Sequence, residues 1–139
     1  IYGVVEGHVL EDDAIDTLNK LKKKGYTLGV ISNARSYETT YTLILKYGLD
    51  KYFEVVISSQ ATVWKKPMKH IFHLACRFLD LNPSEAVYVG DDPVVDIEGA
   101  KRAGLKAVQI IIESKPISPL ADAIIYRLSE LLKVIGELS

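Results

Sequence analysis

Short runs rich in valine and isoleucine recur along this chain, each followed by a stretch with helical spacing, and few architectures accommodate that rhythm. YTLGVIS (26–32), FEVVISS (53–59), AVYVG (86–90) and KAVQIII (106–112) have the length of strands. They are nearly continuous apolar runs rather than alternating ones, which is the pattern of strands buried on both faces. EDDAIDTLNKLKKKGY sets Ala14, Ile15, Leu18 and Leu21 at helical spacing, with Asp12 or Asp13 to cap its start and Gly25 to end it. SYETTYTLILKYG (36–48) reads as a helix with a terminal glycine. After Pro67, MKHIFHLACRFLDL carries Ile71, Leu74, Ala75, Phe78 and Leu79 on one face. VVDIEGAKRAG predicts a short helix closed by Gly104, DAIIYR a short strand and LSELLKVIGEL a final helix. Pro116 and Pro119 make ESKPISPL a loop. Strands alternating with helices imply right-handed βαβ crossovers, hence an α/β fold: an open parallel sheet with helices on both faces. The first ten residues, IYGVVEGHVL, suit either an extended lead-in or an edge strand.

The chain has 139 residues, enough for a single domain with its own core. Its formal net charge of −1 leaves no electrostatic footprint for nucleic acid or an anionic membrane surface. The apolar runs fall far short of the ~20 residues a membrane span needs. No basic stretch followed by an apolar one marks the N-terminus as a leader. Cys76 is the single cysteine, so no internal disulfide forms, and the expected setting is reducing and cytoplasmic. Its place within an amphipathic helix makes it a core residue. His8, His70 and His73 lack partners at metal-ligand spacing and are expected to be structural or exposed.

In an open parallel sheet, ligands bind beyond the carboxyl ends of the strands. The first run ends in Ser32-Asn33-Ala34-Arg35. The second leads into a loop holding Lys65 and Lys66. The third ends in GDDPVVD, which places Asp91, Asp92 and Asp96 within six positions. Carboxylates gathered at one edge raise each other's pKa unless a cation intervenes. Hard oxygen ligands of this kind suit magnesium, which takes one or two carboxylates, keeps waters and bridges to phosphate. A hydroxyl at Ser32, backbone N–H groups at Ser32 and Asn33, and the ammonium of Lys66 are what a phosphate oxygen seeks. Singly, Ser32, Asn33, Asp91 and Asp92 also suit helix capping, and Lys66 and Asp96 suit solvent.

The order of SN, then KP, then GDDxxxDIxGAxxAG resembles the haloacid dehalogenase-like hydrolase superfamily, chiefly its phosphatases, from about Ile15 to Ile112. The last motif is the most specific, since it also fixes the small residues Gly99, Ala100 and Gly104. The resemblance implies that Ser32 holds the transferred phosphoryl oxygen with help from the Asn33 backbone. It implies that Lys66 neutralises charge on nucleophile and phosphoryl group, that Asp91 binds magnesium, and that Asp96 supports the metal waters or orients Lys66. Asp92 joins the expected metal group, although the family commonly carries serine or another small polar residue there. Three aspartates favour phosphatase over dehalogenase, so a small phosphorylated substrate is expected.

The family attacks with an aspartate from a DxDx[TV] motif at the end of its first strand, and no such motif occurs here. Asp12 and Asp13 are adjacent rather than alternate, with no apolar run leading into them. In the family that strand lies between those ending here at Ser32 and Gly90. Leaving its neighbours unpaired costs on the order of 1–3 kcal/mol per buried group, against a total stability of about 5–15 kcal/mol. The expectation is therefore the C-terminal core of a longer enzyme, its central slot filled by YGVVEG, by an N-terminal fragment or by a second chain. The rival reading is a catalytically inactive domain of the same fold that binds magnesium or a phosphorylated ligand, or serves assembly. A phosphorelay receiver is excluded by the late position of the acidic cluster. A dinucleotide-binding domain is excluded by the lack of a G-x-G-x-x-G opening the first helix.

Overall fold

The computed structural model describes residues 14–32, 45–46, 48, 50–58 and 69–138. Five short strands form two parallel sheets among these residues. β1 (Gly29–Ser32) pairs with β2 (Val55–Ser58), with Gly29 opposite Val55 and Ser32 opposite Ser58. β3 (Val87–Gly90) pairs with β4 (Lys106–Ile110), which pairs with β5 (Ala123–Ile125). Four α-helices accompany them: α1 (Ala14–Lys23), α2 (Lys69–Phe78), the short α3 (Gly99–Arg102) and α4 (Leu131–Glu137).

Successive strand residues face opposite cores. Ile31, Tyr88 and Ala107 pack with Ile71, Phe72, Ala75 and Cys76 of α2. Val30, Val89 and Val108 pack with Leu18 and Leu21 of α1 and with Leu131 and Ile135 of α4. Both faces are dry, so the strands need no polar face, and the α/β architecture with helices on both sides is as the runs predict.

Several boundaries move. The strands are shorter than the apolar runs that announce them. In α2 the inward ring is Phe72, fully buried, whereas Phe78 is 66% exposed. Ile15, expected on the apolar face of α1, is likewise exposed, and Thr17 takes an inward position. The helix expected after Asp92 opens as a π-helical turn (Pro93–Glu98) before continuing as α3. Gly25 and Gly104 end their helices at φ 93° and 90°, values that favour glycine. The helix expected over 36–48 lies largely outside the described residues.

β1 and β3 belong to different sheets but meet through side chains. Leu28 and Val87, at the start of the two strands, line one shallow pocket with Leu21, Tyr26 and Ile135. Further along, the Tyr88 hydroxyl donates to the Ile31 carbonyl at 3.3 Å, while its ring meets Phe72 edge to face at 5.0 Å. No ladder joins β1 to β3. From that pocket the two strands lead to one edge, at Ser32 and Gly90, and YGVVEG, expected for the slot between them, lies outside the described residues.

Candidate active site

At that edge β3 delivers its last residue, Gly90, directly into Asp91, Asp92 and the π-helical turn. The turn is built locally. Asp92 has extended backbone, and its Oδ1 accepts from Val94 N–H at 2.9 Å and Val95 N–H at 2.8 Å. Pro93 occupies the first helical position, where no N–H is required. The Asp92 carbonyl accepts from both Asp96 N–H and Ile97 N–H, each at 3.1 Å. The second contact is the longer-range bond of a π-turn, a form that recurs at functional sites.

This winding turns Asp96 back toward the strand. Its Oδ2 accepts from Asp92 N–H at 3.1 Å, and its side chain is 1% exposed. It lies against the Cα of Gly90, where a methyl group would stand 2.5 Å from Asp96 Cβ, Cγ and Oδ2. Only glycine admits the carboxylate there. Asp91 is also buried, and its carbonyl accepts from Gln109 Nε2 at 3.3 Å.

Asp92, expected among the metal ligands, has both oxygens engaged within the protein. Oδ1 caps the turn, and Oδ2 receives Lys115 Nζ at 2.9 Å. Partial burial pushes its carboxyl up, but the Lys115 ammonium and the Val95 and Val94 N–H groups outweigh it, and the net shift is downward. The hydrogen bond and charge of Asp92 raise the Lys115 ammonium, with smaller contributions from Asp91 and Asp96.

Sequence reasoning missed Lys115 and Gln109. Gln109 is the lone polar residue in KAVQIII and is fully buried. Its Nε2 donates to the carbonyls of Asp91 and of Pro116 (2.8 Å), and its Oε1 accepts from Ser118 N–H at 2.7 Å. One amide thus ties the acidic turn to the loop carrying Lys115. The signals were present: a buried-strand pattern interrupted by glutamine, and a lysine in the loop after the fourth strand.

β1 brings the Ser32 backbone to this edge. Asn33, Lys65 and Lys66 lie outside the described residues. The helix residues expected to be structural are so: His73 Nε2 bonds the Ala103 carbonyl at 2.7 Å, and Cys76 is buried, with its thiol pushed up by burial.

Among the described residues no three His, Cys, Asp or Glu side chains converge as a protein-made metal cage. Magnesium needs only one or two carboxylates and completes its shell with water and phosphate, and Asp91 and Asp96 are the buried carboxylates this turn offers. Also among the described residues, no helix is long and apolar enough to cross a membrane.

Residues 8–110 match the family model described as haloacid dehalogenase-like hydrolase. A glyceraldehyde 3-phosphate phosphatase of Methanopyrus kandleri is 36% identical over 133 residues, covering 91% of this chain and 57% of that protein. The crystal structure of a HAD phosphatase from Thermococcus onnurineus superposes with TM-score 0.83 at 35% identity, over 91% of this chain and 58% of the other. A 2-haloacid dehalogenase from Pseudomonas syringae pv. Tomato DC3000 superposes with TM-score 0.82 at 32% identity, over 94% of this chain and 55% of the other. The chain spans a little over half the length of each.

Proposed function

The chain belongs to the haloacid dehalogenase-like hydrolase family, and on that premise we propose that it forms the core of a magnesium-dependent phosphomonoester hydrolase in the intact protein. The observation that carries this reading is the turn after β3, which packs the Asp96 carboxylate against Gly90 and follows directly on the buried Asp91. The phosphatase relative favours phosphate chemistry over dehalogenation, and its name puts small phosphorylated metabolites first among substrates to try.

Asp91 is the residue we assign to holding the ion directly. Asp96, locked by the Asp92 N–H, orients the surrounding waters or Lys66. When bound, magnesium would supply charge neutralisation for the phosphoryl oxygens. Ser32, through its hydroxyl, and Asn33, through its N–H, would grip those oxygens, and Lys66 would balance the charge on nucleophile and phosphate. The nucleophile is an aspartate outside these residues, on the strand that would complete the sheet between β1 and β3. Its carboxylate oxygen attacks phosphorus, the P–O bond to the substrate breaks, and the leaving oxygen takes a proton from the second aspartate of the family's DxDx[TV] motif, also outside these residues. Water then cleaves the aspartyl-phosphate and releases inorganic phosphate.

The test is hydrolysis of a panel of phosphorylated trioses and sugars by the intact protein, with and without magnesium. Activity that requires magnesium and falls by at least about a hundredfold in Asp91→Asn supports the reading. Magnesium-independent hydrolysis, or undiminished activity in that variant, overturns it.

A further inference from the structure

Lys115 has no role in the scheme above, yet among the described residues it is a cation paired with the acidic turn. Its Nζ lies 2.9 Å from Asp92 Oδ2, and its charge acts on Asp91 and Asp96 as well. A single surface ion pair contributes little, because two flexible side chains must be ordered to make it. Here the backbone behind the lysine is already ordered. Lys115 N–H bonds the Ile112 carbonyl at 3.2 Å. Pro116 restricts Lys115 to extended conformations. Gln109, fully buried, then grips the Pro116 carbonyl and Ser118 N–H with the same amide that holds the Asp91 carbonyl. A buried amide with all these partners satisfied is a rigid support. Loop and turn are therefore tied together, and the ammonium of Lys115 is carried on backbone held beside the carboxylates. Asp92 is fixed from its other side by Val94 and Val95.

We infer that Lys115 is a built-in counter-cation of the acidic turn, positioned by Gln109, and that it sets the turn's affinity for a divalent ion by lowering it. The inference rests on the reading of Asp91 as a metal ligand. A positive charge whose field already reaches Asp91 opposes a dication held there, whether the ammonium is paired with Asp92 or released. Its removal leaves three carboxylates with less internal compensation, so metal binding tightens. The sign separates this role from a merely structural one, since a lysine that only steadied the loop would weaken metal binding when lost.

The experiment is calorimetric titration of magnesium into the intact protein, comparing wild type with Lys115→Met, Lys115→Gln, Lys115→Arg and Asp91→Asn. Lys115→Met and Lys115→Gln are expected to bind about three- to tenfold more tightly at low salt. That gain should shrink in about 1 M salt, where the screening length falls to roughly 3 Å. Lys115→Arg keeps the charge and should match wild type, while Asp91→Asn loses binding. Lys115→Gln can still hydrogen-bond Asp92, so it carries the test if the methionine variant does not fold. Unchanged or weaker binding in the neutral variants, with Asp91→Asn still impaired, overturns the role of Lys115 alone. Undiminished binding in Asp91→Asn overturns the metal assignment on which it rests.

Discussion

At Gly90 the strand and the acidic turn come closer than any side chain allows. Replacing it with alanine drives a methyl group into the Asp96 carboxylate, which is wedged between the strand and the Asp92 N–H. Gly90→Ala is expected to cost about 1–3 kcal/mol in urea unfolding, a cost of overpacking. It should depress activity further than that loss of fold explains, because Asp96 must move. Two other aspartates make stability depend on acid. Asp92 is shifted downward, as described, and so is Asp122. Burial pushes Asp122 up, but Ala107 N–H and Lys101 outweigh it. A carboxyl whose folded pKa lies below its unfolded value stabilises above that unfolded value, near pH 4, and loses the contribution as pH falls through the folded one. Unfolding free energy should therefore hold from neutral pH to about pH 5 and decline below about pH 4. Asp92→Asn and Asp122→Asn should each flatten that decline in urea titrations at stepped pH.

Elements were legible where period and length agreed. KAVQIII, AVYVG, DAIIYR and the closing helix fall where their patterns put them; for the first two the reason is that a strand buried on both faces has little choice but an almost unbroken apolar run. Phe78 was misassigned because Phe72 and Phe78 share one helix and spacing alone does not decide which ring turns inward; the edge-on contact of Phe72 with Tyr88 decides it. The carboxylates were legible as a group, but their division of labour was not. Whether an aspartate caps a turn or faces a ligand depends on how the turn is wound, and the π form is not written in residue types. Lys115 went unread because its partner stands 23 residues earlier in the chain. At this scale the seam between β1 and β3 makes its own prediction. Tyr88→Phe removes the hydroxyl that reaches the Ile31 carbonyl and should cost about 1 kcal/mol in thermal or urea unfolding, with the T-shaped contact to Phe72 retained.

For the molecule as a whole, two cores on opposite faces of the strands must form together, because alternate residues of the same strand belong to each. The second core is closed by α4, whose Leu131 is fully buried and whose Ile135 joins Leu18, Leu21 and Leu28. Leu131→Ala is expected to cost about 2–5 kcal/mol, a large part of a typical domain's stability, and to lower the melting midpoint in a single cooperative transition that both cores share. The brace at Gln109 bears on which changes of length the chain tolerates. Its amide holds Pro116 and Ser118 at fixed positions against Asp91, so the segment from Ile111 to Lys115 has a set span, and adding or removing a residue there would pull the lysine off its carboxylate. Just past Ser118 the hold continues, since Leu120 N–H donates to Ser118 Oγ at 3.1 Å and Asp122 N–H to the Ala107 carbonyl at 2.8 Å. A tag or a variable loop therefore belongs outside the stretch from Gln109 to Asp122 if the chemistry at the strand ends is to stay intact.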